Sequence, residues 1–325
     1  LVEPYGFAWR VRQLLPEVLT AGACAGTLTE EGARLLDPSG RLAPGVPMAP
    51  PEGDAGTGMV ATDSVAVCTG NVSAGTSIFS MVVLERPLRR LYKDIDIVST
   101  PSGHAVAMVH CNNGTSDLDA WMGLMAELAA KSGAEVSRAE LFRLLFEESL
   151  KGAPDCDGVL VYNYLSGEPV AGQTSGRPMV LRRSESALTL ANFMRSQIFS
   201  IFAALTMGMH ILTEENVRIR RLTGHGGLFK TPGVAQRYLS AAMGAPITVM
   251  ETAGEGGPYG MALLAGYCLW RQEGETLEDY LDRRVFAGAA GEDIMATPEE
   301  CQGYRRYLDW YQEILPAEAL AAQRP

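Results

Sequence analysis

Short runs of apolar and β-branched residues alternate along the chain with longer stretches in which apolar residues recur at helical spacing. The runs that predict strands are 71–77, 78–85, 104–110, 158–162, 217–223 and 247–250. The stretches that predict helices are 54–65, 117–130, 138–150, 184–212, 231–243 and 257–271, with a further amphipathic helical tail beyond 277. Because strands and helices alternate through the second half of the chain, the pattern predicts an α/β fold.

One predicted helix carries capping residues at both ends. Thr231 is placed as the N-cap, Pro232 as the first helical residue and Gly244 just past the end. A hydroxyl at the N-cap accepts a hydrogen bond from a free N–H of the first turn, and proline there loses no hydrogen bond. These residues therefore predict a helix over 231–243.

Composition narrows the class of protein further. Of the 325 residues, 47% are hydrophobic and 20% are charged, which is enough apolar material for one large domain or two modest ones. The 27 basic and 38 acidic residues give a net charge of 27 − 38 = −11, without a cluster of Lys and Arg. A nucleic-acid partner is therefore not expected, because nothing in the sequence would neutralise a run of phosphates.

The cysteines and the hydropathy pattern bear on the cellular compartment. Six scattered cysteines without a CxxC pair indicate reduced thiols rather than a disulfide framework. The sequence contains neither a signal peptide nor an apolar run of 18 residues, and the stretch 199–212 predicts a buried helix. We expect a cytoplasmic protein without a membrane partner. A first residue that is Leu1 rather than methionine suggests truncation or processing.

Three glycine-containing loops lie at the ends of predicted strands. They are Gly70 to Ser77, Ser166 to Glu168 and Gly224 to Gly227. Glycine lets backbone N–H groups approach a phosphate or a purine closely, and small hydroxyls add donors. The alternative for each loop is an ordinary tight turn, which is the commoner use of the 35 glycines in the chain.

Asp54 and His225 are the ionisable residues with a candidate chemical role. Asp54 begins a helix rich in small residues, where a carboxylate could take a proton from a sugar hydroxyl as a general base. The alternative, which the local sequence favours, is that Asp54 is a helix N-cap. The four histidines lack metal-ligand spacing, and His225, inside a glycine loop, is the one with a candidate role.

The order of these elements resembles the FGGY family of carbohydrate kinases over roughly residues 13–270. The segments that carry the resemblance are Leu14-Leu-Pro-Glu-Val18, Ala25-Gly-Thr-Leu-Thr29, Gly53-Asp54, Ala74-Gly-Thr-Ser77, Ser166-Gly-Glu168, Gly226-Gly227, Gly244-Ala-Pro-Ile-Thr-Val249, and Glu255 with Gly260-Met-Ala-Leu-Leu-Ala-Gly266. The resemblance implies the C-terminal lobe of a two-lobed sugar kinase with a ribonuclease H-like, actin-like ATPase fold. It also implies that ATP and Mg²⁺ serve as cofactors.

The resemblance implies domain bounds as well. Residues 1–45 would be a remnant of the N-terminal lobe and the crossover between lobes, and residues 46–325 would be the nucleotide-binding C-terminal lobe. A Pro-rich stretch, 44–51, fits such a crossover. The partners implied are a sugar, ATP and the missing N-terminal lobe. A homodimer is a possible assembly of the chain.

Roles for single residues also come from the resemblance. Asp54 would be the catalytic base and would contact the sugar, which Phe79 would also contact. The residues that would bind the nucleotide are Gly75, Thr76, Ser77, Gly167, Gly226, Gly227 and Thr231. No residue of this chain is assigned to the metal. A ketopentose such as xylulose or ribulose is the favoured substrate.

Two departures from the family pattern limit these expectations. Ala55 stands where the family usually has Asn or Gln after the aspartate, and no Asp-x-Gly-Thr phosphate loop precedes Asp54. We therefore expect the chain to be only the C-terminal part of a kinase and to be inactive alone. The alternative is a catalytically impaired actin-like module that binds nucleotide or sugar.

Overall fold

The computed structural model describes residue 6 and residues 9–250, 256–289 and 291–323. The strands are β1 (Gly26–Thr27), β2 (Pro47–Met48), β3 (Thr69–Ala74), β4 (Ile78–Val83), β5 (Asp96–Ser99), β6 (Ala105–Cys111), β7 (Val159–Tyr162), β8 (Met179–Arg182), β9 (Arg221–His225), β10 (Ile247–Val249) and β11 (Glu292–Ile294). The helices are α1 (Glu30–Leu36), α2 (Asp54–Ala61), α3 (Ser116–Lys131), α4 (Arg138–Ser149), α5 (Leu190–Glu214), α6 (Val234–Met243), α7 (Gly256–Trp270), α8 (Leu277–Tyr280) and α9 (Pro298–Ala322).

Seven strands form the central sheet, in the order β11-β10-β9-β3-β4-β6-β5. β3, β4, β6 and β5 pair antiparallel, whereas β9 pairs parallel to β3 and β10 parallel to β9. An antiparallel meander extended by two parallel strands, which are reached through helices α5 and α6, is the ribonuclease H-like arrangement. The predicted fold class is therefore confirmed.

The two faces of the sheet bury different clusters of side chains. Ile78 and Val82 of β4 belong to the larger cluster, which α5, α6 and α9 cover, and we call it the α5-side core. Met81 and Val83 of the same strand belong to a smaller cluster with α2, α7 and α8, the α2-side core. This alternation is what a strand that is buried on both faces produces.

Helices α2 and α7 lie unusually close together on the α2 side. A Cβ added to Gly260 of α7 would lie 2.0 Å from the backbone oxygen of Thr57 in α2. Only a residue without a Cβ permits this approach. The glycine therefore fixes the spacing of the two helices, and with it the position of the first turn of α2.

Helix α5 has the length and hydropathy of a membrane span, yet it is a core helix. In its most apolar window of 18 residues, 72% of the residues are buried inside the protein. It crosses the back of the sheet, and Phe199 and Phe202 are buried in the α5-side core. The prediction of a buried helix at 199–212 agrees with this placement.

Three predicted helices have an end that differs from the structure by three residues or more. Helix α2 ends at Ala61 rather than at 65. Helix α6 begins at Val234, and its N-cap is Gly233 with φ +80°, not Thr231. The Gln236 side chain accepts a hydrogen bond from the Gly233 N–H, which replaces the predicted hydroxyl cap. Pro232 accordingly precedes the helix. Helix α5 begins at Leu190 rather than at 184, because Thr189 caps it by accepting from the N–H of Asn192 at 3.1 Å.

Several strands were not predicted. They are the short β1 and β2, and the three strands β5, β8 and β11, which lie at the edges of their sheets. β11 has only three residues, and it exists because it pairs with β10.

The proposed domain boundary between residues 45 and 46 remains a prediction. Strands β1 and β2, which pair through Gly26 and Met48, lie on either side of residue 45.

Candidate active site at the carboxyl ends of β3 and β9

The glycine loop after β9 crosses directly over the end of β3. Gly226 has φ +102°, and a Cβ added to it would lie 2.5 Å from the Ala74 backbone oxygen. A side chain is excluded there by both the backbone angle and the close contact. The structure thus brings the predicted Gly226-Gly227 pair against the predicted turn at 74–77.

The turn between β3 and β4 is held by the loop between β6 and α3. The N–H of Gly114 donates to the Thr76 oxygen at 2.8 Å, and the N–H of Thr115 donates to the Gly75 oxygen at 2.9 Å. A Cβ on Gly114 would lie 2.2 Å from the same Gly75 oxygen. These contacts fix the turn in one conformation and so preorganise its backbone.

A buried amide and a buried carboxylate connect this loop to the loop after β7. Asn113 Oδ1 accepts from the N–H groups of Leu165 and Ser166, at 2.9 and 3.1 Å, while its Nδ2 donates to Glu168 Oε2 at 3.0 Å. Glu168 is fully buried, and desolvation raises the pKa of its carboxyl group against the lowering effect of the Asn113 donors. Asn113 and Glu168 therefore hold the loop after β6 and the loop after β7 together.

Gly167 lies in the loop after β7 at a point where another segment of the backbone comes close. A Cβ there would lie 2.7 Å from the Thr174 oxygen, and the Gly167 oxygen accepts from Asn112 Nδ2 at 2.8 Å. These contacts explain why residue 167 is a glycine. Its contact with a nucleotide remains a prediction.

A cavity of about 230 Å³ opens between these loops. Its lining contains hydroxyl and amide side chains and no charged one. The lining residues are Thr76, Ser77, Asn112, Asn113, Gly114, Ser116, Asn163, Leu165 and Ser166. Thr76 and Ser77 were predicted site residues, whereas the three asparagines were not. The signal that could have found two of them is the polar run 112–116 between a strand and a helix.

Gly226, Gly227 and Thr231 do not line this cavity. Gly227 begins a 3-10 turn, Gly227–Lys230, and Thr231 follows it with 4% of its surface exposed. The structure thus places Gly226 at the turn and Thr231 further along, buried. Glu255, which belongs to the resembling segments, lies outside the described residues.

Asp54 is the first residue of α2, and Gly53 is its N-cap. Asp54 is exposed, and its Oδ1 accepts from the N–H of the next residue, Ala55, at 2.8 Å. The N-cap alternative is therefore wrong by position, although a carboxylate in the first turn still stabilises the helix dipole. An exposed carboxylate held by so local a contact is accessible to a ligand.

Phe79 lies on the same face of the sheet as α2. It is half-buried at the edge of the α2-side core, as is Ala55 beside the aspartate. Its ring stacks on that of His110, with centroids 6.3 Å apart and planes 19° apart. The two residues predicted to contact the sugar, Asp54 and Phe79, thus share one side of the sheet.

His225 projects under α2 and meets a buried asparagine. Its Nε2 lies 3.3 Å from Nδ2 of Asn71. Burial lowers the pKa of the imidazole to about 4, so it is neutral at pH 7. A Cβ added to Gly58 of α2 would be 3.9 Å from both side chains. This places His225 directly beneath the helix that Asp54 begins.

The described residues contain no group of three or more His, Cys, Asp or Glu side chains arranged to hold a metal ion. The site has the exposed carboxylate at the start of α2 and neutral polar groups around the cavity. Such a donor set does not by itself fit Mg²⁺, which takes several oxygen ligands and usually keeps waters and substrate phosphates.

Comparison with known proteins identifies the family. The model of the FGGY family of carbohydrate kinases, C-terminal domain, matches residues 70–269. The chain belongs to this family. The matched range begins inside β3 and ends inside α7, so it contains the glycine loops of this FGGY domain and the cavity between them. A comparison with curated proteins gave no match.

Solved structures of sugar kinases share the fold. A gluconate kinase from Lactobacillus acidophilus superposes with a TM-score of 0.75 at 14% identity, over 99% of this chain and 60% of that one. A xylulose kinase from Brucella ovis gives 0.71 at 18% identity, over 93% and 57%. Plasmodium falciparum glycerol kinase with ADP gives 0.66 at 14% identity, over 94% and 56%. This FGGY chain therefore spans less than two thirds of the length of these kinases.

Proposed function

We propose that this FGGY chain is the nucleotide-holding part of an ATP-dependent sugar kinase. The observation that carries the proposal is the crossing of the Gly226 loop over the turn that follows β3, on the side of the sheet where α2 presents an exposed Asp54. Phosphoryl transfer needs positioning and charge stabilisation more than covalent help, and a rigid cradle of backbone N–H groups meets that need.

Within this proposal, the uncharged cavity receives the nucleoside rather than the phosphates. Its hydroxyl and amide groups can pair with ribose hydroxyls or a base edge, but it offers no cation to a phosphate. The phosphates would lie along the backbone of Gly75, Thr76 and Ser77, with Gly226 and Gly227 beside them. Gly167 and Thr231 complete the proposed set for the nucleotide.

The proposed chemistry uses one side chain as a base. Asp54 takes the proton from the sugar hydroxyl, the freed oxygen attacks the γ-phosphorus, and the bond to the bridging oxygen breaks so that ADP leaves. Phe79 packs against the sugar. Mg²⁺ would arrive with the phosphates of ATP, and the proposal assigns none of the described residues to it. An N-terminal lobe would close over the site and exclude water.

The test replaces the base while keeping its shape. Asp54→Asn in the full-length protein should lower kcat for sugar-dependent ADP release roughly 10²–10⁴-fold, because the amide cannot accept the proton. Asp119→Asn is the matched control, since Asp119 is an exposed carboxylate on α3 paired with Arg138 at 2.7 Å. If the Asp54→Asn variant remained as fast as the wild type, another group would have to be the base.

A second candidate function is a nucleotide-binding or sugar-binding module without turnover. The observation in its favour is Ala55, which stands where the family pattern has a polar residue. Titration with ATP and with a panel of ketopentoses, hexoses, gluconate and glycerol separates the two. Turnover on any of them, with a ketopentose expected first, supports the kinase. Saturable ATP binding without turnover supports the module.

A further inference from the structure

Two buried polar side chains lie under α2, on the face of the sheet that also carries Met81 and Val83 of the α2-side core. Asn71 of β3 pairs with Thr223 of β9, and both side chains are at most 1% exposed. Asn71 Oδ1 and Thr223 Oγ1 lack hydrogen-bond partners within the described residues. Burying polar atoms unpaired costs free energy, so this pair is not explained by stability.

The hydrogen bond to Asn71 fixes how the His225 ring presents its nitrogens. An amide nitrogen can only donate, so Asn71 Nδ2 donates to His225 Nε2, which accepts. A neutral imidazole that accepts at Nε2 carries its proton on Nδ1. In the described part of the chain Nδ1–H has no partner, and the residue is only half-buried. His225 therefore presents a free neutral donor at the edge of the site.

This donor lies close to the groups proposed to hold the sugar. Ser73 of β3 pairs with His225 of β9 on one side and with Phe79 of β4 on the other, so the histidine and the aromatic ring lie at the same level on the two strands that flank β3. Gly58, which lies over His225, is one helical turn after Asp54, and residues four apart share a helix face. His225 thus lies beneath the helix that the proposed base begins and at the strand level of the proposed aromatic contact.

Building on the proposed function, we infer that His225, oriented by Asn71, donates a hydrogen bond from Nδ1 to an oxygen of the bound sugar and so determines sugar specificity. A lysine or arginine at this position would pair with the Asp54 carboxylate and make it a weaker base. A neutral donor can bind the sugar oxygen without that penalty. The buried amide of Asn71 is then explained as the group that holds the ring in the required tautomer.

The test separates a sugar contact from a merely structural side chain. His225→Phe in the full-length protein removes the donor, and we expect the KM for the sugar to rise about tenfold or more, with the KM for ATP unchanged within about twofold. The net contribution of one hydrogen bond typically corresponds to a change in affinity of about this size. His225→Gln keeps an amide donor and should restore most of the sugar affinity. His210→Phe, at an exposed histidine of α5, is the matched control.

Deoxy sugars make the test specific to one oxygen. At the contacted position, removal of the hydroxyl should weaken binding to the wild-type protein about tenfold and binding to His225→Phe little further, because the same hydrogen bond is lost in both. Equal effects of each deoxy sugar on both proteins, or a change in the KM for ATP alone, would overturn the inference.

The result is distinguishable from failure of the proposed function. If the wild-type protein phosphorylates sugars and His225→Phe behaves like wild type, the inference alone is wrong. If the wild-type protein binds a sugar without turnover, the kinase proposal fails, and the same variants are compared by calorimetric Kd. If no sugar binds at all, both are wrong.

Discussion

At the scale of single residues, the site depends on buried polar side chains that connect loops. Asn113 uses its amide oxygen and nitrogen together, and Asn163 Nδ2 donates to the backbone oxygens of Asn113 and Gly114 at 3.2 and 2.9 Å. Glu168 joins this network by accepting hydrogen bonds from the N–H and Nδ2 of Asn113. Such a network is stable only when its members keep their partners, since an orphaned buried group costs more than a hydrogen bond contributes.

Glu168→Ala should therefore destabilise the protein by about 2–3 kcal/mol, because two buried donors of Asn113, its N–H and its Nδ2, lose their acceptor. Urea denaturation measures the change. The same variant should weaken ATP binding, since the Asn113 loop lines the cavity. Glu127→Ala, at an exposed glutamate of α3, should change stability by less than about 0.5 kcal/mol. An equal effect of both substitutions would contradict this role of Glu168.

His225 should make stability depend on pH in a defined window. Its pKa is lowered from 6.5 to about 4 by burial, so the neutral ring is favoured in the folded protein. The stabilisation is complete above pH 6.5 and is lost as pH falls toward 4. Over that window the difference in unfolding free energy between wild type and His225→Gln should shrink by about 2–3 kcal/mol. Chemical denaturation at about pH 7.5 and about pH 4 measures it, and a constant difference would refute the assignment.

At the scale of elements, two close contacts that require glycine position the loop after β9 and helix α2. Gly226 lets the loop after β9 lie on the end of β3, and Gly260 lets α7 lie on α2. Helix α2 is only eight residues long, so its position comes from packing rather than from its own helix propensity. The proposed base, Asp54, at its first turn is consequently positioned by α7 and by the sheet.

Gly260→Ala should strongly destabilise the protein, by about 3 kcal/mol or more, because the new methyl group would overlap the Thr57 backbone oxygen at 2.0 Å. Thermal unfolding measures it. Gly123→Ala is the control within a helix, since an added Cβ meets nothing within 4 Å there. Replacing an exposed helical glycine with alanine should stabilise by about 0.5–1 kcal/mol. The two substitutions are expected to change the stability in opposite directions. A loss of stability of similar size in both would exclude the close contact as the cause.

At the scale of the whole molecule, the central sheet separates a larger core from a smaller one, and the proposed sugar contacts lie on the smaller side. The α5-side core holds α5, α6 and α9 and contains most of the buried aromatic rings, among them Tyr304, Tyr307 and Tyr311. The α2-side core is smaller and carries the first turn of α2, Phe79 and the edge occupied by His225. Substitutions at the proposed sugar contacts on the α2 side are therefore expected to leave the larger core intact.

The sequence predicted the α/β class and most of the long elements, because hydrophobic periodicity and turn residues are local properties. Helices α3 and α4 were located within one or two residues. The strand β11 was not predicted, because three residues gain stability only by pairing with β10. The N-cap of α6 was misplaced at Thr231, because Gln236 supplies the capping contact from inside the helix.

By itself, the sequence determined the family and the order of its loops: Gly53-Asp54, the 74–77 turn and Gly226-Gly227 follow one another in a characteristic order that needs no structure to read. Only the tertiary structure decided which of these residues meet. It placed Gly226 on Ala74 and revealed that Asn113 and Glu168 hold the loops after β6 and β7 together. It also showed that His225 lies on Asn71, 154 positions earlier in the chain. Contacts between residues so distant in sequence depend on the packing of the whole sheet, which no local pattern encodes.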